Sequence, residues 1–182
     1  MIYIILTNVL IVLSLYFLSM FLACFAPIFL FIVNMIILES TIIFPHKKQN
    51  RYILLYGLLA FSGMLIILIF FEGVNFDKGY PSWNVFFFIY VVFISAILAV
   101  IPFIRTSFKI YFSFETKVLK KKWLYYIIGS IGAISYAYMV FINNTWYDET
   151  VPYFRIFINI YGPTNLVWGY MMYYGIGIKI KQ

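Results

Sequence analysis

Along the chain, long uncharged apolar stretches alternate with short segments that carry nearly all of the charge. Residues 53–71, 85–104, 124–142 and 156–178 contain no charged side chain, and each is flanked by loops that carry charge. A helix needs about 20 apolar residues to cross roughly 30 Å of hydrocarbon, so each stretch predicts one transmembrane helix. Open strands are excluded there, because they would leave backbone N–H and C=O groups unpaired in lipid.

The first 45 residues hold a single charge, Glu39, and no polar loop. As one helix at 1.5 Å per residue they would form a rod of about 65 Å, twice what one crossing needs. Within this stretch, Pro27 suits the first turn of a new helix and disfavours helical geometry at Ala26. The expectation is therefore two spans, 3–23 and 27–44, giving six in all. A single long, kinked or tilted helix, giving five, is the alternative.

Basic residues lie on one side of this topology. Lys47, Lys48 and Arg51 follow the second span, Arg105, Lys109, Lys117, Lys120, Lys121 and Lys122 follow the fourth, and Lys179 and Lys181 end the chain, together eleven of 13. The opposite loops hold Lys78 and Arg155 against Glu72, Asp77, Asp148 and Glu149. The positive-inside rule then places the C-terminus in the cytoplasm. Trp83, Trp123 and Trp146 fall near the predicted interfaces, where an aromatic belt is expected.

Composition agrees with this pattern: 65% of the residues are hydrophobic, 23% aromatic and 10% charged, with a mean hydropathy of +0.98. Soluble domains carry about 25% charged residues, so this chain cannot cover a water-facing surface. The expected fold is an all-α polytopic membrane protein, one transmembrane domain over 1–182 with short loops and no soluble domain. Heavy use of Ile, Phe, Tyr, Lys and Asn suggests a gene of low GC content. That points to a bacterial inner membrane, with the mitochondrial inner membrane as the alternative.

Several chemistries are excluded by what the chain lacks. His46 is the one histidine and Cys24 the one cysteine. Haem ligation by two histidines, HExxH zinc sites and Ser–His hydrolysis all need a histidine at membrane depth or a second metal ligand. The two aspartates, Asp77 and Asp148, sit in loops. No cofactor, metal site, enzymatic activity or direct nucleic-acid contact is expected.

Four features remain. Glu39 is the one charged residue inside a predicted span, five residues after Asn34, and a carboxylate there usually faces the bundle or a water-filled path. In the last span, Gly162-Pro163 should break the helix and free carbonyls that Asn159, Thr164 or Asn165 can satisfy. Gly129, Ala133 and Ala137, at i, i+4 and i+8, predict close helix packing, either within the chain or against a second copy. The segment from Arg105 to Lys122, with Ile110, Phe114 and Val118 at i+4, reads as an amphipathic interfacial helix. Its Lys117, Lys120, Lys121 and Lys122 would meet lipid phosphates or an acidic cytoplasmic partner.

Three functional readings follow. The first is a non-enzymatic membrane subunit of a larger assembly, such as a bacterial defence or toxin-immunity complex, docking a partner on its basic inner face. The second is a small ion or proton channel or transporter using Glu39, Asn34 and the broken last helix with Asn159, Thr164 and Asn165. The third is a hydrophobic accessory subunit of an organellar respiratory complex.

Overall fold

A computed structural model describes residues 9–43, 45–75, 81–146 and 152–177. Lys179, Lys181, Asp77, Lys78, Asp148 and Glu149 lie outside the described residues, as do 3–8 of the first expected span. The described chain is helical apart from one hairpin, and four of its helical rods are long and apolar enough to cross a membrane. The helices are α1 (Val9–Ile43), α2 (His46–Phe70), α3 (Val85–Ser95), α4 (Ile101–Ser113), α5 (Lys117–Thr145), α6 (Pro152–Tyr161) and α7 (Thr164–Ile176). Large apolar side chains point outward along the rods, among them Leu58 at 66% exposed and Phe86 at 69%. Such a surface belongs in lipid.

The expected break at Ala23–Pro27 is absent. α1 runs through Pro27 for 35 residues, about 52 Å of helix, so 3–23 and 27–44 do not form separate spans. Pro27 has no N–H for the carbonyl of Ala23, and its ring disturbs the turn before it. One residue on, the Tyr56 hydroxyl of α2 donates to the Cys24 carbonyl at 2.6 Å, within the turn that precedes Pro27. In lipid, a proline is tolerated when a neighbouring helix supplies such a donor.

The expected span 85–104 also runs on. α3 continues through a wide π-helical turn, Ala96–Val100, into α4, so that one rod reaches Ser113. Pro102 follows that turn and has no N–H to give, and the Ile101 N–H reaches back to the Ala96 carbonyl. The interfacial helix expected over 105–122 is not formed. Residues 114–116 instead make a turn between α4 and α5. The i+4 series there is not one face, because Ile110 is buried at 1% exposure whereas Val118 is 67% exposed.

α2 and α3 are joined by a two-stranded antiparallel hairpin, β1 (Val74–Asn75) and β2 (Ser82–Trp83), pairing Val74 with Trp83 and Asn75 with Ser82. Asn84 closes it: its Oδ1 accepts from the Phe87 N–H at 2.8 Å, capping α3, and its Nδ2 donates to the Phe71 carbonyl at 2.7 Å. Gly73 is required here, since a Cβ would lie 2.8 Å from the Phe87 ring and 3.0 Å from the Ile67 carbonyl oxygen. Trp83, expected in an interfacial belt, is turned inward. It stacks on Phe141 and meets Phe87 edge-on in the core, and Trp123 is buried likewise.

Two apolar clusters fill the bundle. One, toward the hairpin, gathers Tyr16, Phe17, Cys24, Met64, Phe87 and Phe141. The other, toward the α4–α5 turn, gathers Phe31, Tyr56, Phe103, Trp123 and Tyr126. The last helix breaks at Gly162-Pro163, as the sequence predicts, and its two halves run back along α5. Backbone meets backbone along this seam: a Cβ on Gly129 would lie 2.6 Å from the Trp168 carbonyl oxygen, and one on Gly175 would lie 2.6 Å from the Tyr126 nitrogen. Gly132 makes room for the Trp168 ring.

Two stability outcomes follow, both read by unfolding in mild detergent. Tyr56→Phe should cost about 1 kcal/mol, the size of one interhelical hydrogen bond. Gly129→Val should strongly destabilise the α5–α7 seam, whereas Gly169→Ala, with nothing within 4 Å of the added methyl, should be neutral or slightly stabilising. Equal effects at Gly129 and Gly169 would refute the close approach.

Candidate functional site

Asn34 is the most completely buried polar residue on α1, at 0% exposure. Its Nδ2 faces three acceptors on α4: the Phe103 carbonyl at 3.0 Å, Thr106 Oγ1 at 3.0 Å and Ser107 Oγ at 2.7 Å. Thr106 in turn donates to the Pro102 carbonyl at 2.8 Å. Trp123 on α5 donates its indole N–H to the Ser107 carbonyl at 2.8 Å. One amide and one indole therefore tie α1, α4 and α5 together just beyond the wide turn. Among the described residues, Asn34 Oδ1 has no partner.

Glu39 lies on α1 nearer the chain's turn into α2. Its carboxylate pairs with Lys48 at 3.7 Å, and its side chain is 34% exposed. The structure thus puts Glu39 in an ion pair at the α1–α2 turn, not among the groups around Asn34.

The polar residues of the last helix sit elsewhere. Thr164 donates to the Tyr161 carbonyl at 2.6 Å, supplying a donor in the turn that Pro163 opens. Asn159 is exposed on α6 and Asn165 is half-buried on α7. These helices pack on α5, whereas Asn34 faces α4 and Glu39 faces α2, so the five polar residues do not converge. Of the small-residue series, Gly129 faces α7, and Ala137 packs beside Phe141 and Trp83 in the hairpin-end cluster. Ala133 lies half-buried between them.

No protein-family model, curated protein or solved structure matches this chain. Its own geometry is therefore the ground for any functional reading.

One strongly basic surface is the end of the bundle where α4 turns into α5. Arg105, Lys109, Lys117 and Lys121 are exposed there, and Glu115 is the acidic residue among them. Lys120 and Lys122 are half-buried. The first lies over the Tyr111 ring at 6.0 Å and the second over the Tyr174 ring at 5.9 Å, distances at which a cation is attracted by the ring face. The Lys47, Lys48 and Arg51 cluster opens α2, which follows α1.

Sequence reading did not single out Thr106, Ser107 or Tyr56, and it took Trp123 for a belt residue. The first two lay inside a basic segment that resembled an interfacial helix. Tyrosine is so common here, at 17 residues, that no single one stands out.

The two α1 residues should therefore respond differently to substitution. Asn34→Ala should lower stability by about 1–3 kcal/mol, because it removes the amide and leaves buried hydroxyls on α4. Glu39→Gln should change it by less than about 1 kcal/mol, as expected for a partly exposed pair. A chemical unfolding titration of both variants distinguishes them.

Proposed function

We propose that this chain is a non-enzymatic membrane subunit of a larger assembly, and that it docks an acidic soluble partner on the basic face at the α4–α5 turn. The observation that carries this reading is that face. Lys109 in the last turns of α4, Arg105 one turn before it, and Lys117 and Lys121 in the first turns of α5 are all exposed, with one carboxylate, Glu115, among them. Such a surface attracts an acidic partner over several ångströms and orients it on approach. The positive-inside rule makes this side cytoplasmic, with a bacterial inner membrane as the setting and a defence or toxin-immunity complex as one assembly of this kind.

The placement of the polar residues favours a subunit over a channel. Glu39 is occupied by Lys48, Asn34 by α4, and Thr164 by the Tyr161 carbonyl across the break. A conducting path would need such groups to face a shared wet space.

Lys117 and Lys121 are the residues to test, because Lys120 and Lys122 also contact aromatic rings. The double variant Lys117→Glu/Lys121→Glu should lose a soluble partner that co-purifies with the native protein in mild detergent, as read by mass spectrometry. Retention of the partner by that variant, or purification of the native protein with no soluble partner, would overturn the proposal. Glu39→Gln should leave co-purification unchanged.

A further inference from the structure

One face of α2 changes character along its length. Lys48, Arg51, Tyr52, Leu55, Tyr56 and Leu59 follow one another at helical spacing, so a cationic end passes directly into an apolar one. At the cationic end, Lys48, Arg51, Tyr52 and Leu55 border a hollow of about 290 Å³. Tyr52 and Leu55 also begin a groove of about 310 Å³, which has Ile28 and Phe31 of α1 as its floor. Its far wall is Ile97 and Pro102, at the wide turn of the α3–α4 rod. The groove is open outward: Tyr52, Leu55, Leu59 and Ile97 are all 42% to 51% exposed.

The charges at the mouth are unequally engaged. Glu39 takes up Lys48. Among the described residues no carboxylate pairs with Arg51, which also borders a second hollow with Lys47. The opening turn of α2 contains no acidic residue, and the positive end of its dipole adds to the field there.

We propose that this groove is a binding site for an anionic phospholipid, with the headgroup phosphate on Arg51 and Lys47 and an acyl chain lying between α2 and the wide turn. A guanidinium presents paired donors that suit phosphate oxygens. Basic pockets between helices near a membrane surface hold anionic headgroups in this way. The apolar groove adds the chain contacts that a soluble phosphate lacks. Tyr52, between the two, carries a hydroxyl on an apolar ring and suits the boundary. None of the residues that line the groove or its mouth is among those of the proposed partner face.

The test uses the full chain, stripped of lipid in detergent and then given phosphatidylglycerol or phosphatidylcholine with the same acyl chains. Native mass spectrometry reads retained lipid, and a melting curve reads stabilisation. Phosphatidylglycerol should be retained in preference and should raise the melting temperature more. Arg51→Gln should reduce that preference about fivefold, as expected for one basic side chain near the surface. Leu59→Trp, which keeps every charge and fills the groove, should reduce retention of both lipids. Equal retention of the two lipids by the native protein would overturn the site. So would an equal melting shift from inorganic phosphate alone, full lipid retention by Leu59→Trp, or a co-purifying membrane protein that only Leu59→Trp releases. If Arg51→Gln does not fold, the Leu59→Trp and inorganic phosphate arms decide the matter on their own.

Discussion

Side-chain donors reaching the backbone of a neighbouring helix hold this bundle in register. In lipid, helices gain little from apolar contact alone, since one apolar surrounding is exchanged for another. The interfaces are joined instead by single polar ties. Tyr56 joins α2 to the Cys24 carbonyl of α1, Tyr90 joins α3 to the Leu59 carbonyl of α2, and Trp123 joins α5 to the Ser107 carbonyl of α4. Ser95 and Tyr138 join α3 to α5 hydroxyl to hydroxyl, and Asn34 joins α1 to α4. Each tie is worth about 1 kcal/mol or less, so the arrangement depends on their number and on close packing between them.

These ties use the carbonyls that the sequence makes available. Pro27 opens a turn in α1, and Tyr56 bonds within that turn. Pro102 follows the wide turn of the α3–α4 rod, and Thr106 and Asn34 gather on the carbonyls just after it. Gly63 leaves room for the Tyr90 hydroxyl at the α2–α3 interface. Between α5 and α7, where no side-chain hydrogen bond is found among the described residues, glycines let the backbones touch. The basic helix ends and the groove beside α2 are consequences of this framework, because it holds α4 and α5 together at their turn and leaves a hollow between α2 and the wide turn.

Much of this was legible in the residues. The apolar stretches, the short connections, the clustering of basic side chains and the break at Gly162-Pro163 all follow from local chemistry: a charge in lipid is costly, and a Gly-Pro pair interrupts a helix wherever it falls. The separation of Pro27 from the other prolines was not legible. The donor that α2 brings to the turn before it is Tyr56, 29 positions along the chain, and nothing near Pro27 announces it. Trp83 and Trp123 looked like belt residues because they flank polar segments. Folding of the hairpin and of α4 against the bundle buried both.

The sequence by itself determined that the protein lives in lipid as helices, where most of them begin, and which end of the bundle is basic. Those properties depend on the solvent around each segment, and composition reports the solvent directly. Only the tertiary structure decided that α1 is one helix, that Asn34 serves α4 and Glu39 serves Lys48, and that Arg51 borders a hollow beside an open groove. Each of these depends on a partner from a distant part of the chain, and the distance along the sequence hides the contact.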